Sequence, residues 1–136
     1  MTHSAIETPA ISNPALWTGR VLSGALIAFL VFDAVIKLVP LQVVIDTTSA
    51  LGFPPELART LGVLTLVCAA LYAWPRTAIL GAILLTGYLG GAIAIHLRIG
   101  NPLFSHTLFG VYLGLMAWGG LYLRDPRLQA LIPFRR

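Results

Sequence analysis

A chain of 136 residues that is 57% hydrophobic and only 10% charged has room for one domain and lies outside the composition of soluble globular proteins. Folded in water, it would expose apolar patches larger than the roughly few hundred Å² that soluble monomers tolerate. The formal charge of +4 does not point to nucleic acid, because the basic residues are scattered singly until the last positions and form no stripe. Anionic lipid head groups are the better partner for that excess.

In chain order, residues 1–15 read as a flexible cytoplasmic lead, with Pro9 and Pro14 and without the basic start of a secretory signal. Residues 16–39 form the first span, with Trp17 at the interface and Pro40 as its stop. After it, Leu41, Val44, Ile45, Thr48 and Leu51 recur at helical spacing opposite Gln42, Asp46 and Ser49. That pattern predicts a short amphipathic helix on the membrane surface, with an ordered loop as the alternative. The second span, 57–74, opens on Pro54, Pro55 and Glu56 and closes on Trp74 and Pro75. Residues 77–97 form the third span. The fourth, 104–123, follows a Gly100-Asn101-Pro102 turn and stops at Asp125 and Pro126, leaving 125–136 as a basic cytoplasmic tail. The apolar runs are about twice a barrel strand and show no alternation. The expected fold is therefore all-α: a four-helix transmembrane bundle with a short amphipathic helix between the first and second spans.

Orientation follows from the basic residues. Arg20, Arg76, Arg124, Arg127, Arg135 and Arg136 fall on one side, and Lys37, Arg59 and Arg98 on the other. Six against three predicts an inner-membrane, multi-pass protein with both termini in the cytoplasm. Cys68, the single cysteine, excludes an internal disulfide and a Cys-x-x-Cys redox pair, and reads as a small apolar core side chain. Gly87 and Gly91, Gly110 and Gly114, and more weakly Gly19 and Ser23, form small-xxx-small pairs suited to close helix contact, within one subunit or between subunits.

The chemistry gathers at one end. Asp33 lies in the outer hydrocarbon layer, where a carboxylate costs roughly 3 kcal/mol at a span centre and less toward the interface. Lys37 follows four residues later on the same face. Two readings stand: Lys37 snorkels to the head groups with Asp33 as its partner, or Asp33 is a proton carrier or polar anchor in a cavity. His96 ends the third span, Arg98 follows it, and His106 opens the fourth, so two imidazoles, a carboxylate and a guanidinium can meet at the outer mouth. The histidines lack the spacing of a metal site, and a hydrogen-bonded polar cluster is expected there instead. Ligand binding is assigned to Asp33, Lys37, His96, Arg98, His106 and Asn101. Asp33 and His96 are the candidate catalytic groups, histidine being able to act as acid, base or relay near neutral pH.

The stretch GYLGGAIAIHLRIGNPLF from Gly87 to Phe104, the preceding PRTAILGAILLT, and the Phe32 to Leu38 segment with Lys37 resemble the DoxX-like family of small membrane proteins. The resemblance extends from about Phe29 to Pro126. It implies a four-helix integral membrane protein, and for some members a place as a subunit beside a quinone-linked oxidoreductase. No cofactor-holding motif is evident. A quinone or another lipophilic molecule could enter sideways, with Tyr88, Phe109, Tyr112 and Trp118 as candidate pocket aromatics. The leading expectation is an accessory or assembly subunit that holds a small lipophilic ligand, alone, as a homo-oligomer or with another membrane subunit. The alternative is a membrane oxidoreductase or isomerase component acting on a quinone-like or lipid substrate.

Overall fold

The computed structural model describes residues 11–39 and 41–132. The expectations for residues 1–10, Pro40, Arg135 and Arg136 lie outside them. Every regular element among the described residues is helical: α1 Asn13–Leu38, α2 Gln42–Ala50, α3 Leu57–Ala73, α4 Ala78–Arg98, a π-type turn Leu103–Thr107, α5 Phe109–Arg124 and α6 Pro126–Leu131. Two of them, α1 and α4, are long and apolar enough to cross a membrane, and α3 is a shorter apolar helix. The outward faces are greasy: Val21, Phe32 and Leu115 are each about two-thirds exposed.

Local chemistry sets the helix ends. The Ser12 side chain accepts from the Ala15 amide, with Pro14 in the first turn of α1, which satisfies an amide left free at a helix start. Helices α2 and α4 both end in a Schellman arrangement. Gly52, at φ +87°, and Gly100, at φ +74°, adopt the left-handed conformation that glycine takes without a Cβ clash. Phe53 N then donates to Thr48 O, and Asn101 N to His96 O, while Gly52 and Gly100 donate to Ser49 O and Leu97 O.

The fourth apolar stretch differs from its expected form. It starts as a π-type turn, in which Thr107 N donates to Pro102 O at 3.1 Å and Leu108 N to Leu103 O at 2.8 Å. Pro102 precedes this turn and has no amide to donate, and the wider i to i+5 loops carry the chain into α5. The tail also gains a short helix. Asp125 ends α5 and at once caps α6 by accepting from Arg127 N at 2.9 Å.

Helix α1 packs against α3 and α5, and α4 packs against the same two, so α1 and α4 face each other across a diagonal. Leu26, Leu30, Leu85 and Leu121 fill the centre. Backbones approach where glycine permits it: a Cβ at Gly19 would lie 2.7 Å from Gly120 O, and one at Gly81 would overlap the Tyr72 backbone. At this end a directed chain of hydrogen bonds crosses the core. Arg124 Nε donates to Ser23 Oγ at 3.0 Å, Ser23 donates to Tyr72 Oη at 2.8 Å, and Tyr72 donates to Ala117 O at 2.7 Å. Every member is partnered, as a polar group among apolar helices requires. Arg127 Nη2 donates to Pro75 O at 2.7 Å and ties α6 to the turn between α3 and α4.

Candidate functional site

At the opposite end the helices part around a cavity of about 550 Å³, within the usual range of small-molecule sites. Phe29, Leu30, Asp33, Ile36 and Lys37 of α1 and Gly87, Tyr88, Leu89, Gly91, Ala92, Ile93, Ile95 and His96 of α4 line it. Helix α2 covers the mouth with Val43, Val44, Thr47, Thr48 and Leu51, so its inward side is turned slightly from the expected one: Val44, Thr48 and Leu51 line the cavity, whereas Leu41 and Ile45 do not. Phe29 and Phe109 meet edge to face at 5.4 Å on the cavity wall, a favoured aromatic geometry.

An ion pair is set into this apolar surface. Lys37 Nζ donates to Asp33 Oδ2 at 2.7 Å and to Tyr88 Oη at 3.3 Å. The second bond bridges the diagonal between α1 and α4, and the ammonium also lies 5.9 Å from the Tyr88 ring centre. With side chains 20% and 26% exposed, Lys37 and Asp33 are turned into the protein rather than snorkelling outward as a pair. Thr47 and Thr48 donate to carbonyls of their own helix, so their methyl groups soften the mouth.

His96 and His106 face the same cavity, their rings 6.1 Å apart. The Schellman turn at Gly100 brings Asn101 back beside His96, and Asn101 Nδ2 lies 2.6 Å from His96 Nδ1. An amide nitrogen can only donate, so Nδ1 accepts and the neutral ring carries its proton on Nε2. Ser105 Oγ contacts His106 Nδ1 at 2.8 Å. Of the six residues singled out from sequence, Asp33, Lys37, His96 and His106 line the one cavity, the first two as an ion pair and the last two with rings 6.1 Å apart. Asn101 stands behind as a positioning residue. Arg98 is exposed and outside the cavity, with its guanidinium near the Gly52 turn. Among the described residues, no group of three or more His, Cys, Asp or Glu side chains is placed to hold a metal ion.

Tyr88 enters as the acceptor of the Lys37 bond, a role its position in the sequence did not disclose. Gly87 and Gly91 are equally unforeseen as cavity wall: a Cβ at either meets nothing within 4 Å. Of the other small-residue pair, Gly110 does pack tightly against Ile93, while Gly114 is open. Of the remaining aromatics, Phe109 lines the cavity, whereas Trp118 donates to Thr86 at 2.7 Å and Tyr112 to Phe104 O at 3.0 Å, both outside it.

An all-helical fold with two helices able to span a bilayer, and with ion-paired groups turned inward among apolar walls, is that of a membrane protein. Residues 21–120 match the model of the DoxX-like family, and the chain belongs to that family. Neither a curated protein nor a solved structure matches it.

Proposed function

We propose that this protein is an accessory or assembly subunit of a membrane system, holding one small lipophilic molecule in the cavity between α1 and α4. The observation that carries this reading is the cavity itself: about 550 Å³, apolar on nearly all sides, with Asp33, Lys37, Tyr88, His96 and His106 among its lining residues. Few polar groups on apolar walls are the usual make-up of a site that orients a greasy ligand by one end. In this reading α1, α3, α4 and the π turn with α5 are four spans in the inner membrane, and α2 lies at its outer surface. Helix α3, with 17 residues, covers about 25 Å and is the shortest crossing. Both termini are cytoplasmic, which a reporter fused to the C-terminus tests directly by its side of signal.

The experiment is native mass spectrometry of the full chain extracted in mild detergent. A bound small molecule that is lost in the Asp33→Asn, His96→Ala double variant supports a holding site. A stable foreign subunit supports the accessory role, and neither in any preparation would sink both. A second reading is favoured by one observation, that Asp33 and His96 line the same cavity. There they could pass a proton to and from a quinone-like or lipid substrate in an oxidoreductase or isomerase component. Turnover with the single variants inactive and ligand still bound would select it.

A further inference from the structure

Of the nine lysines and arginines in the chain, Lys37 is the one lysine. Among those described, it is also the one that lines the cavity. To hold a carboxylate in an apolar wall, arginine is the usual choice, since its weakly hydrated fork meets both oxygens. Arginine does not give up its proton, whereas lysine does so and then carries a nucleophilic lone pair. The exception to the arginine rule falls where that difference has a use.

The groups that a carbonyl condensation needs meet at this amine. Asp33 Oδ2 lies 2.7 Å from Lys37 Nζ and is placed to take its proton. Tyr88 Oη lies 3.3 Å from Nζ and accepts from the ammonium, so the phenol keeps its own O–H for a second partner. Apolar side chains such as Phe29, Ile36 and Ala92 line the space beside them. A charged partner for Lys37 is already in place, so what the cavity has to offer an incoming molecule is the reactivity of the amine.

We infer that Lys37 is a covalent site: its amine condenses with a lipophilic aldehyde in the cavity to form a protonated imine, with Asp33 as proton acceptor and counter-ion and Tyr88 as proton donor. The inference rests on the holding function proposed above and names the class of molecule held. Asp33 takes a proton from the ammonium, and the freed amine adds to the aldehyde carbon. The C–N bond forms as the C=O π bond breaks, and the oxygen takes a proton from Tyr88. The carbinolamine nitrogen returns a proton to Tyr88. Asp33 then protonates the hydroxyl, which leaves as water while the nitrogen lone pair closes the C=N bond. In sum, an ammonium and an aldehyde become a protonated imine and water, and no oxidant or reductant is consumed. The cation opposite Asp33 is restored at the end, so no charge is left unpaired among apolar walls. Those walls also keep out the water that would reverse the condensation.

The test uses the full chain in nanodiscs with octanal and sodium cyanoborohydride, which reduces an imine to a stable secondary amine. Peptide mass spectrometry reads the octyl group on Lys37 separately from the terminal amine of the same sample. The expected result is labelling of Lys37 in the wild type, slowed by excess 1-octanol, which occupies the cavity without condensing. Tyr88→Phe and Asp33→Asn should each slow it by about a hundredfold relative to the terminal amine, the lower end of what a positioned acid or base contributes. Should Asp33→Asn fail to fold, Tyr88→Phe decides. A wild type that takes up 1-octanol in equilibrium dialysis against empty nanodiscs, yet stays unlabelled at Lys37, overturns the imine and leaves the holding function intact. Labelling that neither substitution slows overturns the imine as well, since Lys37 is then only a reachable amine. Wild type that neither takes up 1-octanol above the blank nor is labelled overturns both.

Discussion

Ser23 of α1 and Tyr72 of α3 share a 2.8 Å hydrogen bond in the buried core, and Tyr72 hands its own proton to Ala117 O of α5. One phenol thus joins three helices. Tyr72→Phe keeps the ring and removes both bonds, leaving Ser23 and Ala117 O with one partner fewer. The expected cost is about 1–3 kcal/mol, read as a lower melting temperature in detergent. Tyr112→Phe, which loses a bond near the surface, should cost less.

The ion pair at the cavity predicts a non-additive pair of substitutions. Asp33→Asn or Lys37→Met alone leaves one charge without its partner. Each should destabilise by about 1–2 kcal/mol, less than the roughly 3–5 of a fully buried pair, since both side chains keep some exposure. The double change to Asn and Met should recover much of the loss. Thermal unfolding of the four proteins checks this, and additive losses would mean that the two groups do not act as a pair.

Glycine substitutions separate contact from open space. Gly81→Ala places a methyl in the Tyr72 backbone, which cannot move without opening the α3–α4 turn, and should cost about 1–3 kcal/mol or more. Gly24→Ala meets nothing within 4 Å and should be neutral or stabilising by up to about 1 kcal/mol. Melting temperatures of the two variants in the same detergent decide it.

Stability should fall with acid through Asp125, which lies beyond the end of α5. Burial opposes ionisation of its carboxyl, but the Arg127 side chain and the Arg127 and Leu128 amides outweigh it, holding the group below its ordinary value of 3.8. A carboxyl that binds its proton less tightly when folded contributes stability that is whole above the unfolded value and lost as pH falls through the folded one. Asp125→Asn keeps the N-cap but removes the charge. Its melting temperature should depend less on pH below about 4 than that of the wild type.

Much of this fold was legible because long apolar runs stop at hard punctuation. Pro40, Trp74 with Pro75, Gly100 and Asp125 mark the observed helix ends to within two residues. That Asp33, Lys37, His96 and His106 fall toward one end of the bundle was legible too, whereas Arg98, expected beside them, lies outside the cavity. What escaped depends on rotation rather than length. Whether Gly87 and Gly91 meet a helix or a void is set by the packing of α1 against α3 and α5, which no local pattern in α4 encodes. Tyr88 meets Lys37 across 51 positions, beyond any spacing rule. The π turn reflects amides competing after Pro102, and α6 has six residues, too few to show a period.

The bond from Arg127 to Pro75 O, together with the close crossing of Gly19 and Gly120, clasps the helices at the end remote from the cavity. A clasped base and a parted rim make the molecule behave like a clothes peg.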